Sequence, residues 1–147
     1  RSPGVPLVIT NQRQQQFTQH QAERFRGMLA SAQAPHPHPK VAKAMRAGWE
    51  DQLSALEAEL ADYDALQRTE PTTLEADSIV GIGEALIKAR IARRLTHREL
   101  AERMQLAEQQ VQRWEATRYR GVAAERLQQV ADALRLRVRE VFTFEPG

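Results

Sequence analysis

The sequence has 147 residues, a length that suits one ordinary domain or two small ones. It contains no cysteine, which excludes disulfides, thiolate nucleophiles and cysteine-based zinc sites. It has no run of about 18 apolar residues, so no membrane contact is expected and a soluble, cytoplasmic protein is the default interpretation. Helix-forming residues dominate, with only seven glycines and seven prolines, and an all-α fold is therefore expected.

The net charge of +2 is unevenly distributed along the chain. Residues 41–80 carry three basic and nine acidic side chains, a net charge of −6, whereas residues 1–40 and residues 81–147 each carry +4. Such an asymmetry indicates different partners for different parts of the chain. The alternative is that the acidic face serves solubility alone.

The first two predicted helices form a hairpin. One follows Thr18, a suitable N-cap, and has apolar residues at helical spacing until the proline-rich stretch PHPHPK ends it. The other runs from about Val41 to Leu66, with apolar residues spaced by three and four positions along a near-heptad seam that acidic residues flank. The seam consists of Met45, Trp49, Leu53, Leu56, Leu60 and Tyr63.

Two helices alone bury little apolar surface. The hairpin, assigned to residues 10–67, is therefore expected to pack against a second copy of itself, the C-terminal part of the chain or a different protein. The candidate protein-partner residues are Trp49, Leu53, Leu56, Leu60 and Tyr63.

A linker is predicted over residues 68–78, where RTEPTTLEADS combines a proline with acidic and hydroxyl side chains. Residues 79–147 then have a compact helical pattern that includes a last helix from about Val122 to Leu134. The final stretch, LRLRVREVFTF, alternates apolar and polar residues and predicts a short C-terminal strand. That strand would pair with its copy in another subunit or pack on its own domain.

The stretch LTHRELAERMQLAEQQVQRWEA contains two short helices separated by a turn. Thr96 and Glu99 have the spacing of a capping box, which starts the first helix. Leu106 fills the turn, and Val111 with Trp114 seats the second helix on the core. This is the helix-turn-helix pattern, in which the first helix lies across the phosphate backbone and the second enters the major groove of DNA.

Residues 82–134 resemble the lambda-repressor/Cro-like (XRE) family of helix-turn-helix regulators through LTHRELAERMQL, VQRWEA and ERLQQVADAL. The resemblance implies a five-helix DNA-binding domain that acts as a homodimer on an inverted-repeat operator. The sequence departs from the family at two glycines, where Gln105 and Arg135 stand, and at the cap of the recognition helix, Ala107. It also has Ala116-Thr117 in place of the usual Asn-Gly. Glutamine in a left-handed conformation would cost about 1 kcal/mol.

The resemblance assigns candidate DNA contacts to three parts of the motif. The start of the first helix and the loop TRYRG would meet phosphates, and the exposed side of the second helix would read bases. Glutamine can bond adenine bidentately, arginine can bond guanine, and glutamate can accept a hydrogen bond from cytosine. The family often has glutamine at the position of His97. The candidate DNA-binding residues are Thr96, His97, Arg98, Glu108, Gln109, Gln110, Gln112, Arg113, Arg118, Tyr119 and Arg120.

No catalytic residue, cofactor or metal site is predicted, and the protein is not expected to be an enzyme. The histidines of PHPHPK lie on a proline-locked backbone that spaces metal ligands poorly. Gly81-Ile-Gly83 lacks the third glycine and the preceding strand of a nucleotide-binding loop. The carboxylates of residues 41–66 lie on a solvent-facing helix without a cleft, so they do not form a catalytic pair.

The combined interpretation is a transcription regulator with a DNA-binding C-terminal domain and a protein-binding N-terminal hairpin. Small regulators of this build resemble the antitoxins of toxin–antitoxin operons, in which one segment neutralises the toxin and another represses the shared promoter. The acidic helix from Trp49 to Leu66 would bind a basic surface of the toxin or mask a basic RNA-binding site. Two alternatives stay open: an autonomous repressor whose hairpin only dimerises, and an adaptor that uses the helix-turn-helix fold without binding DNA.

Overall fold

The computed structural model describes residues 7–68 and 71–147. These described residues form six α-helices and no strand, which confirms the all-α prediction. None of their helices is long and apolar enough to cross a membrane. The chain divides into two compact units between Thr73 and Leu74. The helices are α1 (Gln12–Ala30), α2 (Pro39–Arg68), α3 (Ile82–Ala92), α4 (His97–Met104), α5 (Glu108–Ala116) and α6 (Ala124–Ala133).

Helix α1 begins earlier than the sequence pattern predicted. Its N-cap is Asn11, whose side-chain oxygen accepts a hydrogen bond from the backbone N–H of Gln14 at 2.8 Å. Thr18, the predicted N-cap, lies inside the helix and is buried, so that prediction was wrong. The glutamine-rich first turns carry no apolar periodicity, and the pattern therefore could not detect them. The predicted end of the helix before PHPHPK is confirmed, because α1 stops at Ala30.

Helices α1 and α2 pack against each other. Arg46 of α2 donates hydrogen bonds to the carbonyl oxygens of Leu29 and Ser31, both at 3.2 Å, and of Gln33 at 3.4 Å. The last carbonyl groups of a helix have no hydrogen-bond partner within the helix, and Arg46 donates hydrogen bonds to those at the end of α1 and just after it. The arginine thus fixes the end of α1 to the first turns of α2.

The N-terminal unit has a thin apolar core. Four residues of the predicted seam, Trp49, Leu53, Leu56 and Leu60, are only partly buried, and Phe17 of α1 is 64% exposed. The buried apolar residues of this unit are Leu7, Ile9, Ala22, Ala42 and Tyr63. Two helices and a short preceding segment therefore leave much of the seam accessible.

The C-terminal unit has a closed core, formed where α4 packs against α5 and α6 and where α3 packs against α6. Its fully buried large side chains are Ile87, Ile91, Leu100, Leu134, Val111 and Val130. The described part of the unit has four helices, so the implied fifth helix and the predicted C-terminal strand were both wrong for these residues. Alternation alone does not make a strand, because a strand also needs a neighbouring strand to accept its hydrogen bonds.

Left-handed residues end the four helices of the C-terminal unit. These residues are Arg94, Gln105, Arg118 and Arg135, with φ between 56° and 58°. Each is followed by an N–H that bonds the carbonyl five residues earlier, as Leu106 N does to Ala101 O at 2.9 Å, which is the Schellman motif. Two of the four, Gln105 and Arg135, are positions where the resembling family has glycine. In the loop after α5, Arg118, Tyr119 and Gly121 have positive φ, whereas Ala116 and Thr117, which replace the family's Asn-Gly, do not.

Candidate nucleic-acid interface

Thr96 starts α4 with a complete capping box. Its side-chain oxygen accepts a hydrogen bond from the backbone N–H of Glu99, and the Glu99 carboxylate accepts one from the backbone N–H of Thr96, each at 3.1 Å. The hydrogen bond from the Thr96 backbone N–H to the carboxylate is the main cause that holds the pKa of Glu99 below its ordinary value, and the Thr96 hydroxyl group contributes to it. The predicted capping box is confirmed, and it fixes the residue at which α4 begins.

The exposed face of α5 is polar. Four residues, Glu108, Gln109, Gln112 and Arg113, are exposed, and they follow one another at i, i+1, i+4 and i+5, which places them on one side of a helix. The opposite side carries Val111, which is buried. The structure therefore brings together four of the five candidate base-reading residues.

Two members of this face are joined and two have free functional groups. Gln112 Nε2 donates a hydrogen bond to Glu108 Oε1 at 3.4 Å. Within the described residues, the side chains of Gln109 and Arg113 make no hydrogen bond or ion pair. Helix α5 also begins without a side-chain cap, because Ala107 has no acceptor to offer. The face thus presents both donors and acceptors to a partner.

Gln110 does not share the exposed face. It is partly buried and lines a groove of about 370 Å³ between α5 and the start of α6. In this groove the guanidinium carbon of Arg126 lies 5.8 Å from the ring centroid of Trp114, within the range of a cation–π interaction. The other residues lining the groove are Leu106, Gly121, Val122 and Ala123.

A buried polar cluster joins α3, α4 and α5 beneath the exposed face. Arg90 Nε and Nη2 donate to the two carboxylate oxygens of Glu115 at 2.6 Å and 3.0 Å, a bidentate pair, and Arg90 Nη1 donates to Leu95 O at 2.7 Å. His97 Nε2 lies 2.9 Å from Glu115 Oε1. Burial raises the pKa of Glu115, but the hydrogen bonds from His97 and Arg90 outweigh it and keep the pKa below its ordinary value.

The location of His97 differs from the one implied by the resemblance. Its side chain is only 11% exposed, and its Nε2 atom contacts the buried Glu115. Sequence reasoning had no signal for this orientation, because the partner residue lies 18 positions further along the chain.

The loop after α5 presents one of its three candidate residues openly. Arg120 is exposed, whereas Tyr119 is buried and Arg118 is partly buried, with its Nη1 atom 2.9 Å from Glu84 Oε2. Burial and the negative charge of Glu115 raise the pKa of Tyr119 far above its ordinary value. Among the described residues, the Tyr119 hydroxyl has no hydrogen-bond partner.

Sequence reasoning missed Gly83, which allows this loop to approach α3. A Cβ atom built on Gly83 would lie 1.9 Å from the carbonyl oxygen of Arg118, so no other residue fits without backbone movement. The signal in the sequence was a glycine at the start of a helical pattern, two positions after Gly81, and such a glycine can have a packing reason.

The candidate partner residues of the N-terminal unit differ in how exposed they are. Trp49, Leu53, Leu56 and Leu60 are partly buried along α2 and remain accessible. Tyr63 is 4% exposed, and its hydroxyl accepts a hydrogen bond from Gln67 Nε2 at 3.2 Å. Tyr63 is therefore a buried residue and does not present its ring to an external partner.

Comparison with known protein families gives a match over part of the chain. Curated proteins and solved structures give no significant match. Residues 85–147, less than half of the chain, match the family model of the Cro/C1-type HTH DNA-binding domain. The matched range includes α4 and α5, whose arrangement is the helix-turn-helix. The match supports DNA binding in transcription regulation by this part of the chain.

Proposed function

We propose that the protein is a sequence-specific transcription regulator whose α5 reads bases in the major groove. One observation carries the proposal: Glu108, Gln109, Gln112 and Arg113 occupy a single exposed face of the helix that follows the turn. These residue types provide the donors and acceptors that distinguish base pairs from the major-groove side. Polar residues that served solubility alone could lie on any exposed helix and would not have to lie on the helix that follows the turn.

Each side chain of the face has a base that it can recognise. Gln109 fits adenine, Arg113 fits guanine, and Glu108 accepts from the amino group of cytosine. The hydrogen bond from Gln112 holds the Glu108 carboxylate on the helix surface. Gln109 and Arg113 are the principal readers, because within the described residues their side chains make no hydrogen bond, whereas Gln112 and Glu108 are paired with each other.

Phosphate contacts would position α5 on the duplex. Arg98 at the start of α4 pairs with Glu102 at 3.2 Å, but both side chains are well exposed, and such a pair is easily exchanged for a phosphate. Thr96 precedes Arg98 at the same helix start, and Arg120 is exposed in the loop after α5. These three residues would fix register and orientation without reading sequence.

The test is DNA binding by the full chain. A binding site is selected from a random duplex library, and its affinity is measured by fluorescence anisotropy for the wild type and for Gln109→Ala with Arg113→Ala. Loss of two bidentate base contacts is expected to cost roughly 2–6 kcal/mol in specific binding. The control is Gln19→Ala with Arg24→Ala, two exposed residues of the same types on α1, which should leave affinity unchanged.

Equal affinity of the α5 double variant and the wild type would overturn the assignment of α5. Failure of the wild type to select any site would favour the adaptor, which uses the fold without binding DNA. Raised salt should weaken all binding, because phosphate contacts release counterions.

We further propose that the N-terminal unit binds a protein and that the regulator is an antitoxin which represses its own promoter as a homodimer on an inverted repeat. Support comes from α2, where residues 49–66 carry six acidic side chains and no basic one. Beside them lie the accessible seam residues Trp49, Leu53, Leu56 and Leu60. An apolar ridge with acidic flanks is complementary to a basic surface with an apolar centre, such as a nucleic-acid-binding face of a toxin. A regulator of this kind would act in the cytoplasm.

Two sets of variants separate the two activities. The neighbouring gene is co-expressed with the full chain, and growth is measured alongside repression of the shared promoter. Trp49→Ala with Leu56→Ala is expected to abolish growth rescue and leave specific DNA affinity unchanged in the isolated protein. Gln109→Ala with Arg113→Ala should have the opposite effect. If no neighbouring gene product arrests growth, the antitoxin proposal is contradicted and the autonomous repressor stands.

A further inference from the structure

His97 makes the one side-chain hydrogen bond that joins α4 to α5 among the described residues. Helix α4 would lie across the phosphate backbone and α5 would enter the groove, so the angle between them determines where the reading face meets the bases. The bond runs from the first residue of α4 to Glu115, in the last turn of α5.

Glu115 is held from two sides. Arg90 of α3 occupies both carboxylate oxygens, and His97 shares Oε1 with the Arg90 Nη2 atom. The side chains of Arg90 and Glu115 are each 4% exposed. A hydrogen bond to a buried charged group is stronger than one between neutral groups, so the His97 contact is well suited to holding an orientation.

From this geometry we propose that His97 is a positioning residue for base recognition: it fixes α5 against α4 through Glu115 and is not itself a phosphate ligand. The inference rests on the proposed function, because it concerns the same recognition helix. Arg90 remains paired with Glu115 when His97 is replaced, so loss of His97 loosens the helix-turn-helix without leaving a buried charge alone.

The experiment compares two replacements of His97 in the full chain. His97→Phe keeps a ring of similar size and removes the donor, whereas His97→Gln keeps an N–H donor of similar reach. Dissociation constants are measured for the selected site and for a scrambled duplex over a series of salt concentrations. His97→Phe is expected to weaken specific binding about tenfold, and His97→Gln should recover most of it. Binding to the scrambled duplex and its salt dependence should not change.

A direct phosphate contact gives a different result. His97→Phe would then weaken specific and scrambled binding alike, because a phosphate contact does not depend on the base sequence. That outcome would overturn the positioning role, and so would unchanged specific binding by His97→Phe. Thermal melts check that each variant is folded at the temperature of measurement. Val130→Ala, a buried substitution in α6 away from the cluster, controls for lowered stability and should bind as the wild type does.

Nitrogen-15 NMR of the histidine ring tests the contact without DNA. The free protein should show His97 with a proton on Nε2 that donates to Glu115, and this signal should shift in Glu115→Gln. A His97 ring that exchanges freely with solvent would contradict the proposal. If the wild type selects no DNA site, the proposed function fails, and the NMR result still reports on the contact separately.

Discussion

The two units of this chain differ in how completely they bury their apolar residues. Seven large side chains are fully buried in the described residues, and six of them lie in the C-terminal unit, the exception being Ile9. The N-terminal unit instead has a seam of half-buried residues along α2. Four short helices can enclose a core between them, whereas two long ones can only share a face.

This difference in burial suits the C-terminal unit to holding side chains in a fixed orientation and the N-terminal unit to binding a protein partner. Reading bases requires side chains held in a fixed orientation, and α5 is held by a closed core and a buried charged cluster. Binding a protein partner requires accessible apolar surface, which the α2 seam keeps. We therefore expect the same substitution to lower the free energy of unfolding more in the C-terminal unit than in the N-terminal unit.

The largest expected effect is at the buried ion pair. Arg90→Met leaves Glu115 charged and buried without its main partner, and is expected to lower the free energy of unfolding by about 3–5 kcal/mol. Urea denaturation followed by circular dichroism measures the loss. Replacing both partners, Arg90→Met with Glu115→Leu, removes the stranded charge and should recover most of the stability. A single variant as stable as the wild type would show that the cluster does not hold the scaffold.

A matched pair of leucines tests the comparison itself. Leu100→Ala removes a fully buried side chain and should cost about 3 kcal/mol, whereas Leu56→Ala, on the half-buried seam, should cost about 1 kcal/mol. Both are measured on the full chain by the same denaturation. If the two variants lost equal free energy of unfolding, Leu56 would be as enclosed in solution as Leu100, and the two units would not differ in burial.

A matched pair of glycines gives changes of opposite sign. Gly83→Ala forces a methyl group into the backbone of Arg118 and is expected to destabilise the protein by about 2 kcal/mol. Gly48→Ala, inside α2 with no heavy atom near its added Cβ, should stabilise it by up to about 1 kcal/mol. Thermal melts distinguish the two directions. A stabilising Gly83→Ala would contradict the close approach of α3 and the loop.

The smallest expected effect is at the turn between α4 and α5. Gln105→Gly relieves a left-handed glutamine and should stabilise the C-terminal unit by up to about 1 kcal/mol. Gln129→Gly, in the middle of α6, is the control and should destabilise by about 1 kcal/mol. Differential scanning calorimetry measures both. If Gln105→Gly lowered the stability, the glutamine side chain would stabilise the unit by more than its left-handed backbone conformation destabilises it.

The features that the sequence predicted well depend on nearby residues. The capping box of Thr96 and Glu99 spans three positions, and the inward location of Leu100 and Val111 follows from helical spacing. The left-handed Gln105 was anticipated by alignment of the motif with a family that has glycine there. In each case the information lies within one helix or one turn.

The features that the sequence did not predict depend on distant neighbours. His97 turns inward because Glu115 and Arg90 lie beneath it, and Gly83 is required because Arg118 passes over it. The C-terminal alternation resembled a strand, but pattern alone provides no pairing partner. Tertiary packing decided each of these cases.

Amide NMR of the full chain shows directly whether the polar face of α5 contacts DNA. Titration with the selected duplex should produce the largest shifts at Gln109, Gln112 and Arg113, with smaller ones at the start of α4, where phosphates would lie. A scrambled duplex should perturb the phosphate-facing residues and leave these three largely unchanged. Shifts confined to α2, or an α5 that does not respond to the selected duplex, would contradict DNA contact by that face.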